Sequence, residues 1–316
     1  ATIDDFKRFD SKGNYLLGTP EEIEKFRMLL TVSEGTGNTI LTNKSFVLDN
    51  DVDMSGITLA PAGKDTVRFG GSFDGKGHTI SNVTIEGGDS AYVAFFGNTS
   101  GATIKNLTLN NVKVTGNGGF TAGLVGRTRN TSVVNCHITG NIEIKGGSEV
   151  GGLIGGGVCN VEDSTVTGSD GSIISGTIDV GGISGLVSEE TKTVTGNSIS
   201  GVSVVASQGM VGGLVGRAIA GTAGLEITGN TVENCTIEST EPTSYKNLSG
   251  LAVGCTQAKG TATFSENTIN NSTLTELGAT KSTVYCPLDH TGTDTGANIV
   301  IPSVASINGV GFDTFA

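Results

Sequence analysis

Gly123-Leu124-Val125-Gly126 is the stretch of sequence that decides the fold, because variants of it return throughout the chain. Five further copies, the first of them degenerate, are Ala94-Phe95-Phe96-Gly97, Gly152-Leu153-Ile154-Gly155, Gly182-Ile183-Ser184-Gly185, Gly213-Leu214-Val215-Gly216 and Gly250-Leu251-Ala252-Val253-Gly254. Successive copies start 29, 29, 30, 31 and 37 residues apart. A near-constant period of this size is typical of a stacked repeat protein, in which each unit packs only on its neighbours.

Composition excludes several classes of protein. Glycine contributes 50 of 316 residues without a period of three, which excludes collagen, and five prolines are too few for a disordered low-complexity chain. A net charge of −12 disfavours nucleic acids and anionic membrane surfaces as partners, because both attract clustered Lys and Arg. No apolar run approaches the ~20 residues of a membrane span. We therefore expect neither a nucleic-acid partner nor a membrane-spanning segment.

From about residue 45 onward, apolar residues alternate with polar ones and are interrupted by Gly, Asn and Asp. Examples are the pairs Val112/Val114, Ile142/Ile144 and Val202/Val204. This pattern indicates about three short strands in each repeat of roughly 30 residues. The sequence therefore predicts an all-β, right-handed parallel β-helix. A β-propeller is the alternative, but it needs four strands in a blade of about 40–45 residues. The motif glycines would allow either a left-handed backbone or close approach between rungs.

One helix is expected, near the start of the chain. Thr19-Pro20-Glu21-Glu22 combines an N-cap, a proline at the first helical position and the glutamate of a capping box. Ile23, Phe26 and Leu30 would form its apolar stripe and cover the open end of the β-helix. We expect an N-terminal extension at 1–18 and a single β-helix domain at 19–316. That domain divides into the helix at 19–30, the first rungs at 45–97, the motif-bearing repeats at 98–286 and a C-terminal end at 287–316.

The motif pattern resembles the GLUG repeat family, which is named for this Gly-Leu-hydrophobic-Gly signature. Two segments ahead of the repeats strengthen the resemblance, namely Asp51-Val52-Asp53-Met54-Ser55 and Phe73-Asp74-Gly75-Lys76-Gly77-His78-Thr79-Ile80. It covers roughly residues 15–290. The sequence departs from the pattern at Ser184, at an Ala-Val insertion beside Gly250 and in a C-terminal stretch that does not align. The resemblance implies a bacterial secreted or surface-anchored β-helix, adhesin-like, such as the non-catalytic region of immunoglobulin A1 protease-like proteins.

Candidate metal ligands and catalytic groups are few. Asp49, Asp51 and Asp53 alternate and would share one face of an extended segment, so turn capping and calcium binding both remain open. Asp74 and Asp163 are interpreted as turn formers, and Asp163 takes the position of Asn106 and Asn135. His78, His137 and His290 are too far apart for the His-Glu-x-x-His motif of a zinc protease. We therefore assign no catalytic, cofactor-binding or metal-binding residue and expect no cofactor.

The five cysteines do not form a disulfide framework, because their number is odd and the chain is long. Cys136 fills the repeat position of Leu107, and Cys235 that of Val202 and Ser272, so these thiols should be buried packing groups. A bridge between Cys255 and Cys286 is left open.

Two functions remain in competition. The first is a non-catalytic extracellular module, expected to be a monomer, that binds a host or cell-surface protein or glycan. The second is a β-helical polysaccharide lyase or glycoside hydrolase, which would need clustered acidic residues with Arg or Lys in a groove. The long interval after Gly213 contains Glu238–Tyr245, and a loop at this point with Tyr245 could belong to a partner site.

Overall fold

The computed structural model describes residues 1–32, 39–241, 247–301, 305–308 and 310–312. These residues form a parallel β-solenoid of about seven turns, so the predicted fold class is confirmed. Each turn passes through three sheets, here called sheets 1, 2 and 3, and each strand pairs in parallel with its counterpart in the next turn. In several turns the strands of sheets 1 and 2 are divided into two segments. One hydrophobic cluster runs along the interior from Phe6 to Ile299.

The strands are grouped by sheet, in chain order. Sheet 1 contains Tyr15–Leu17, Thr39–Ile40, Ser45–Leu48, Arg68–Phe69, Ser72–Asp74, Phe96–Ser100, Thr103–Lys105, Val125–Val134, Ile154–Glu162, Ser184–Val187, Thr193–Thr195, Val215–Ala220, Leu225–Thr228, Val253–Ala258, Ala262–Ser265 and Ile299–Val300. Sheet 2 contains Val52–Asp53, Thr58–Leu59, Thr79–Glu86, Thr108–Thr115, His137–Lys145, Thr165–Gly168, Ile173–Gly176, Ser198–Ser200, Ser203–Ala206, Thr231–Glu233, Thr236–Ser239, Thr268–Asn270, Thr273–Glu276, Ala279–Lys281, Ala305–Ile307 and Val310–Phe312. Sheet 3 contains Tyr92–Val93, Phe120–Ala122, Glu149–Gly151, Asp179–Gly181, Met210–Gly212 and Ser249–Gly250.

The repeated motif forms the corner between sheet 3 and sheet 1. Its glycines have negative φ, so close approach rather than a left-handed backbone explains them. A Cβ on Gly152 would lie 2.2 Å from the carbonyl oxygen of Gly182 in the next turn. A Cβ on Gly155 would lie 2.4 Å from the carbonyl oxygen of Gly126 in the previous turn. At Gly152 and Gly155 the corner can therefore stack at strand spacing only without side chains.

The last motif copy contains no insertion. Val211 pairs with Ser249 and Val215 pairs with Val253, so Leu251 stands where the earlier copies have their first glycine. The expected Ala-Val insertion beside Gly250 is therefore wrong. The added residues of this turn lie in the connection before Ser249.

The C-terminal stretch that the repeat pattern does not align continues the solenoid. Ala252 N donates to Val284 O at 2.9 Å, Ala262 pairs with Ile299, and Thr268 pairs with Ser306. This turn lacks the glycine motif but follows the same hydrogen-bond ladder. An antiparallel strand, Ala279–Lys281, pairs with Thr273–Glu276 next to it.

The helix, Pro20–Leu29, forms at the predicted place and covers the first turns. Thr19 Oγ1 accepts from Glu22 N at 3.2 Å, as an N-cap should. The reciprocal half of the capping box is replaced, because the Glu22 carboxylate pairs with Arg8 at 2.8 Å. The buried Phe26 side chain enters the core beneath the helix. In the expected N-terminal extension, Tyr15–Leu17 already forms a strand of sheet 1 paired with Ser45–Leu48.

Arg27, on the same helix, is 4% exposed and bonds to three carbonyl oxygens. Its guanidinium donates to Ala94 O and Phe95 O at 3.2 Å and to Ala60 O at 2.9 Å. In later turns the equivalent carbonyl groups accept from the preceding turn, as Gly123 O accepts from Phe95 N. Arg27 thus supplies the donors that a preceding turn would supply, and it satisfies buried backbone acceptors.

Candidate functional site

Each member of the aspartate triplet has its own contacts, although Asp51 and Asp53 both face outward beside the buried Val52. The strand Ser45–Leu48 ends before Asp49, and the chain bends at Asn50 before it enters another sheet. Asp49 pairs with Arg8 at 2.5 Å. Asp51 accepts from Thr79 N, and Asp53 accepts from Asn82 Nδ2, each at 2.9 Å.

These hydrogen bonds lower the pKa of all three carboxyl groups. Each carboxylate therefore accepts hydrogen bonds from its own set of protein donors. These contacts support the turn-capping interpretation of the triplet.

The histidines and the other candidate acids serve local structure. His78 contacts Asp51, His137 contacts Thr165, and His290 contacts Gln257, so the three rings have unrelated neighbours. In the part of the chain that the structure describes, no group of three or more His, Cys, Asp or Glu residues could hold a metal ion.

The two turn-forming aspartates are confirmed. Asp74 Oδ1 accepts from Lys76 N at 2.8 Å. Asp163 has φ +52°, and Asn106 and Asn135 have φ +55° and +51°. These three residues share the same left-handed turn in successive turns of the solenoid, where Asn and Asp are favoured.

All five cysteines are buried and free, including Cys255 and Cys286. Burial raises the pKa of the Cys136 thiol to about 12, so it stays protonated at neutral pH. The packing interpretation of the thiols is therefore confirmed. Tyr92 and Tyr285 are buried as well. Tyr245 and residues 242–244 of its loop lie outside the described residues, so the hypothesis of a partner site there stays a prediction.

A row of aromatic and charged side chains follows the motif corner on its outer side. On sheet 3 it consists of Tyr92, Phe120, Glu149 and Asp179, which pair in register from turn to turn. On sheet 1 it consists of Arg127, Leu186 and Arg217, which directly follow the corner. We call these seven residues the corner row. Asp179 has no exposed surface although strand alternation directs it away from the core, so neighbouring side chains outside the corner cover it, with Arg217 in contact.

Asp179 and Arg217 form the ionic part of the corner row. Arg217 Nη2 lies 2.8 Å from Asp179 Oδ2, and the Arg217 side chain is 20% exposed. Asp179 Oδ1 and Arg217 Nε are buried without a hydrogen-bond partner among the described residues. Burial raises the pKa of Asp179 to about 6 despite this ion pair. Burial and the neighbouring Asp179 raise the pKa of Glu149 to about 7.

The aromatic part lies toward the N-terminal end of the row. The guanidinium of Arg127 stands 5.3 Å from the ring centre of Phe120 and 5.8 Å from that of Tyr92. Arg127 Nη1 also donates to the Tyr92 hydroxyl at 2.8 Å and lies 3.4 Å from Asp65. The Tyr92 hydroxyl donates to Asp65 in turn. These contacts hold a planar cation against aromatic faces at a partly exposed position.

The two carboxyl groups of the corner row do not form a catalytic pair. Glycoside hydrolysis needs two carboxyl groups that both reach the scissile bond or its water. Asp179 is fully buried beneath Arg217, so only Glu149 has access to solvent. The raised pKa of each carboxyl group thus follows from packing within the corner.

Sequence reasoning missed the corner row, although a signal was present. Arg127 and Arg217 each follow the last glycine of a motif copy, and Glu149 and Asp179 each precede a Val-Gly-Gly triplet. Residues at a fixed offset from a repeat motif stack in space. Scanning the positions beside the motif, rather than the motif itself, would have found them.

Comparison with known proteins found one relative in sequence and one similar solved structure. No family model matches the chain. Halomucin from Haloquadratum walsbyi is 35% identical over 151 residues, which cover 44% of this chain but 2% of halomucin. A crystal structure described as a "putative immunoglobulin A1 protease" from Bacteroides ovatus is similar with a TM-score of 0.64 and 18% identity. The similarity covers 98% of this chain and 96% of that one. At this identity the structural likeness shows the fold alone. No described helix is long and apolar enough to cross a membrane.

Proposed function

We propose that this chain is a non-catalytic β-helix module of a secreted or surface-anchored protein, with an adhesin-like binding role. The observation that carries the proposal is the corner row, where Arg127 presents a partly exposed cation packed against Phe120 and Tyr92. Aromatic residues and arginine dominate the energy of binding surfaces because they combine a large contact area with fixed donors. The row therefore suits a ligand that lies along the solenoid axis.

The similarity to halomucin and the resemblance to the GLUG family support an extracytoplasmic location. The similar solved structure supports the use of this scaffold in a protein linked by name to immunoglobulin A1 proteolysis. Because the chain spans 2% of halomucin, its partners are argued from its own residues. The partner we infer is a host or cell-surface protein or glycan.

An array of glycans and host surface proteins tests this function. Wild-type protein is expected to bind at least one ligand, and Arg127→Gln should bind it at least about tenfold more weakly, because a charge-assisted contact is lost. Lys113→Gln, an exposed residue on sheet 2, is the matched control and should bind like wild type. The absence of any ligand would contradict the proposed function. Equal binding by both variants would contradict the corner row as its site.

The loop around Tyr245 gives an independent prediction. If it contributes to the partner site, a folded variant without it should lose affinity for the same ligand. Wild-type affinity in that variant would reject a role for the loop and leave the corner row unaffected.

A further inference from the structure

We propose that Arg68, Arg127 and Arg129, here called the arginine cluster, bind the carboxylate or sulfate group of an acidic saccharide. This inference rests on the proposed function and names the class of ligand. It is carried by three cations grouped on one outer face of sheet 1 in a protein whose net charge is −12.

The strand register brings the three arginines together. Phe69 pairs with Thr99, and Asn98 pairs with Arg127, so Arg68, Asn98 and Arg127 follow one another on neighbouring turns. Arg129 lies two residues after Arg127 on the same strand and therefore points to the same side. Phe69 and Thr99 are buried in the core, which directs their neighbours Arg68 and Asn98 outward.

Among the described residues, one carboxylate contacts a cation of the cluster. Asp65 contacts Arg127, whereas Arg68 and Arg129 have neither an ion pair nor a side-chain hydrogen bond with any described residue. Burial lowers the pKa of Arg129, and the charges of Arg127 and Arg68 lower it further. Three like charges held this close are unfavourable, so an anion placed among them would relieve the repulsion.

The unpartnered polar atoms indicate what the ligand should offer. Arg68 Nε and Arg129 Nη1 are buried donors without an acceptor, and Asn98 Oδ1 is a buried acceptor without a donor, among the residues described. Asn98 is 2% exposed, and its amide nitrogen is fixed by Lys64 O at 2.9 Å. An acidic sugar carries both complements, because its anionic group accepts hydrogen bonds from guanidinium and its hydroxyl groups donate.

Three polymers with one backbone test this inference: dextran, carboxymethyl dextran and dextran sulfate. Wild-type protein should bind one or both charged polymers and not dextran, and binding should weaken as salt is raised. The double variant Arg68→Gln/Arg129→Gln should bind at least about tenfold more weakly. Lys25→Gln/Lys113→Gln removes the same charge at exposed positions and should bind like wild type. Thermal unfolding of each variant shows whether the fold is retained.

The two charged polymers separate a carboxylate from a sulfate ligand. Unchanged binding in the arginine double variant, an equal loss in the lysine variant, or no binding of either charged polymer would overturn the inference. If the array finds a neutral glycan or a protein as ligand while the charged polymers fail, the proposed function stands and only the acidic saccharide is rejected. If both experiments find no ligand, both proposals fall.

Discussion

The N-terminal and C-terminal turns of the solenoid use different chemistry in the same interior. In the first turns, phenylalanine rings pack on one another, with Phe26 of the helix 4.8 Å from Phe46 and 5.3 Å from Phe73 between ring centres. In the last turns, Asn197, Asn230 and Asn267 form a buried ladder. Asn197 N donates to Asn230 Oδ1 at 2.9 Å, and Asn230 N donates to Asn267 Oδ1 at 3.0 Å.

The change is gradual along one repeat position. It is occupied in successive turns by Leu107, Cys136, Ser164, Asn197, Asn230 and Asn267. From Ser164 onward, each side-chain oxygen accepts from the backbone N–H of the turn before it, as Ser164 Oγ does from Cys136 N at 3.0 Å. Apolar packing is non-directional, whereas these hydrogen bonds fix the register. The first turns are thus held by burial under a helix, and the last turns by a directional ladder.

The largest loss of stability is expected when a phenylalanine ring is removed from the N-terminal core. Phe73→Ala should lower the free energy of unfolding by about 3–5 kcal/mol through lost burial and a cavity. Its matched control is Phe264→Ala, at the same ladder position near the other end. Phe73 has three ring contacts and Phe264 has one among the described residues, so the control should lose at least about 1 kcal/mol less. Equal losses in denaturant titrations would show that the two ends are packed alike.

Replacing Arg27, whose guanidinium donates to three backbone carbonyl groups of the first turns, should have the next largest effect on stability. Arg27→Met keeps the length of the side chain but leaves the carbonyl groups of Ala94, Phe95 and Ala60 without their donor. We expect a loss of about 3 kcal/mol in the free energy of unfolding. Lys25→Gln, an exposed change on the same helix, should be neutral. If Arg27→Met unfolds with the same free energy as wild type, water must donate to these carbonyl groups in place of the guanidinium.

An apolar substitution in the asparagine ladder should lower the stability more than an apolar substitution at the N-terminal end of the same repeat position. Asn230→Leu keeps the volume but leaves Asn197 N, Asn197 Nδ2 and Val194 O without their partners on the side chain of residue 230. Asn267 Oδ1 loses the amide donor and keeps only the backbone N–H of residue 230. A loss of about 2 kcal/mol is expected in urea titrations. Cys136→Val at the apolar end of the same ladder should cost under about 1 kcal/mol. Similar costs at both positions would remove the distinction between the two ends.

The smallest effect on stability should come from Glu149 and Asp179, which lie between the two ends of the solenoid. Glu149 and Asp179 have raised pKa values of about 7 and about 6 in the folded protein. The folded state then binds more protons than the unfolded state between about pH 4 and pH 7, so these groups lower stability as pH rises through that window. Glu149→Gln should flatten this slope and stabilise the protein by about 1 kcal/mol at pH 8 relative to wild type.

Denaturant titrations at pH 5 and pH 8 measure this difference. Lys113→Gln serves as a surface control whose pH dependence should follow that of wild type. A Glu149→Gln variant that keeps the wild-type slope would show that the Glu149 carboxyl group is solvated in the folded protein.

Much of the fold was predictable because it depends on local repetition. The motif glycines set the period, Thr19 and Pro20 set the start of the helix, and Asn106 and Asp163 indicated a shared turn. Errors arose where partners came from distant residues. Arg8 reaches both Glu22 and Asp49, which replaced half of the capping box and removed Asp49 from the expected acidic face.

The candidate site was less predictable than the fold. Arg217 is 38 residues from Asp179, and Arg68 lies two turns from Arg127, so no local pattern connects them. Their proximity follows only from the register of the turns, which a one-residue shift would change. The Leu251 register shows the same dependence, since the sequence alone suggested an insertion there.

The sequence by itself determined that this chain stacks repeated turns, because the glycine motif returns at a near-constant period and short alternating strands lie between its copies. It also determined which residues face inward, since strand alternation is local. Only the tertiary structure decided that Arg27 satisfies the carbonyl groups of the first motif copy, and that arginines and carboxylates meet outside the corner. Those contacts depend on which residues of different turns stand side by side, and that is set by the stacking of whole turns.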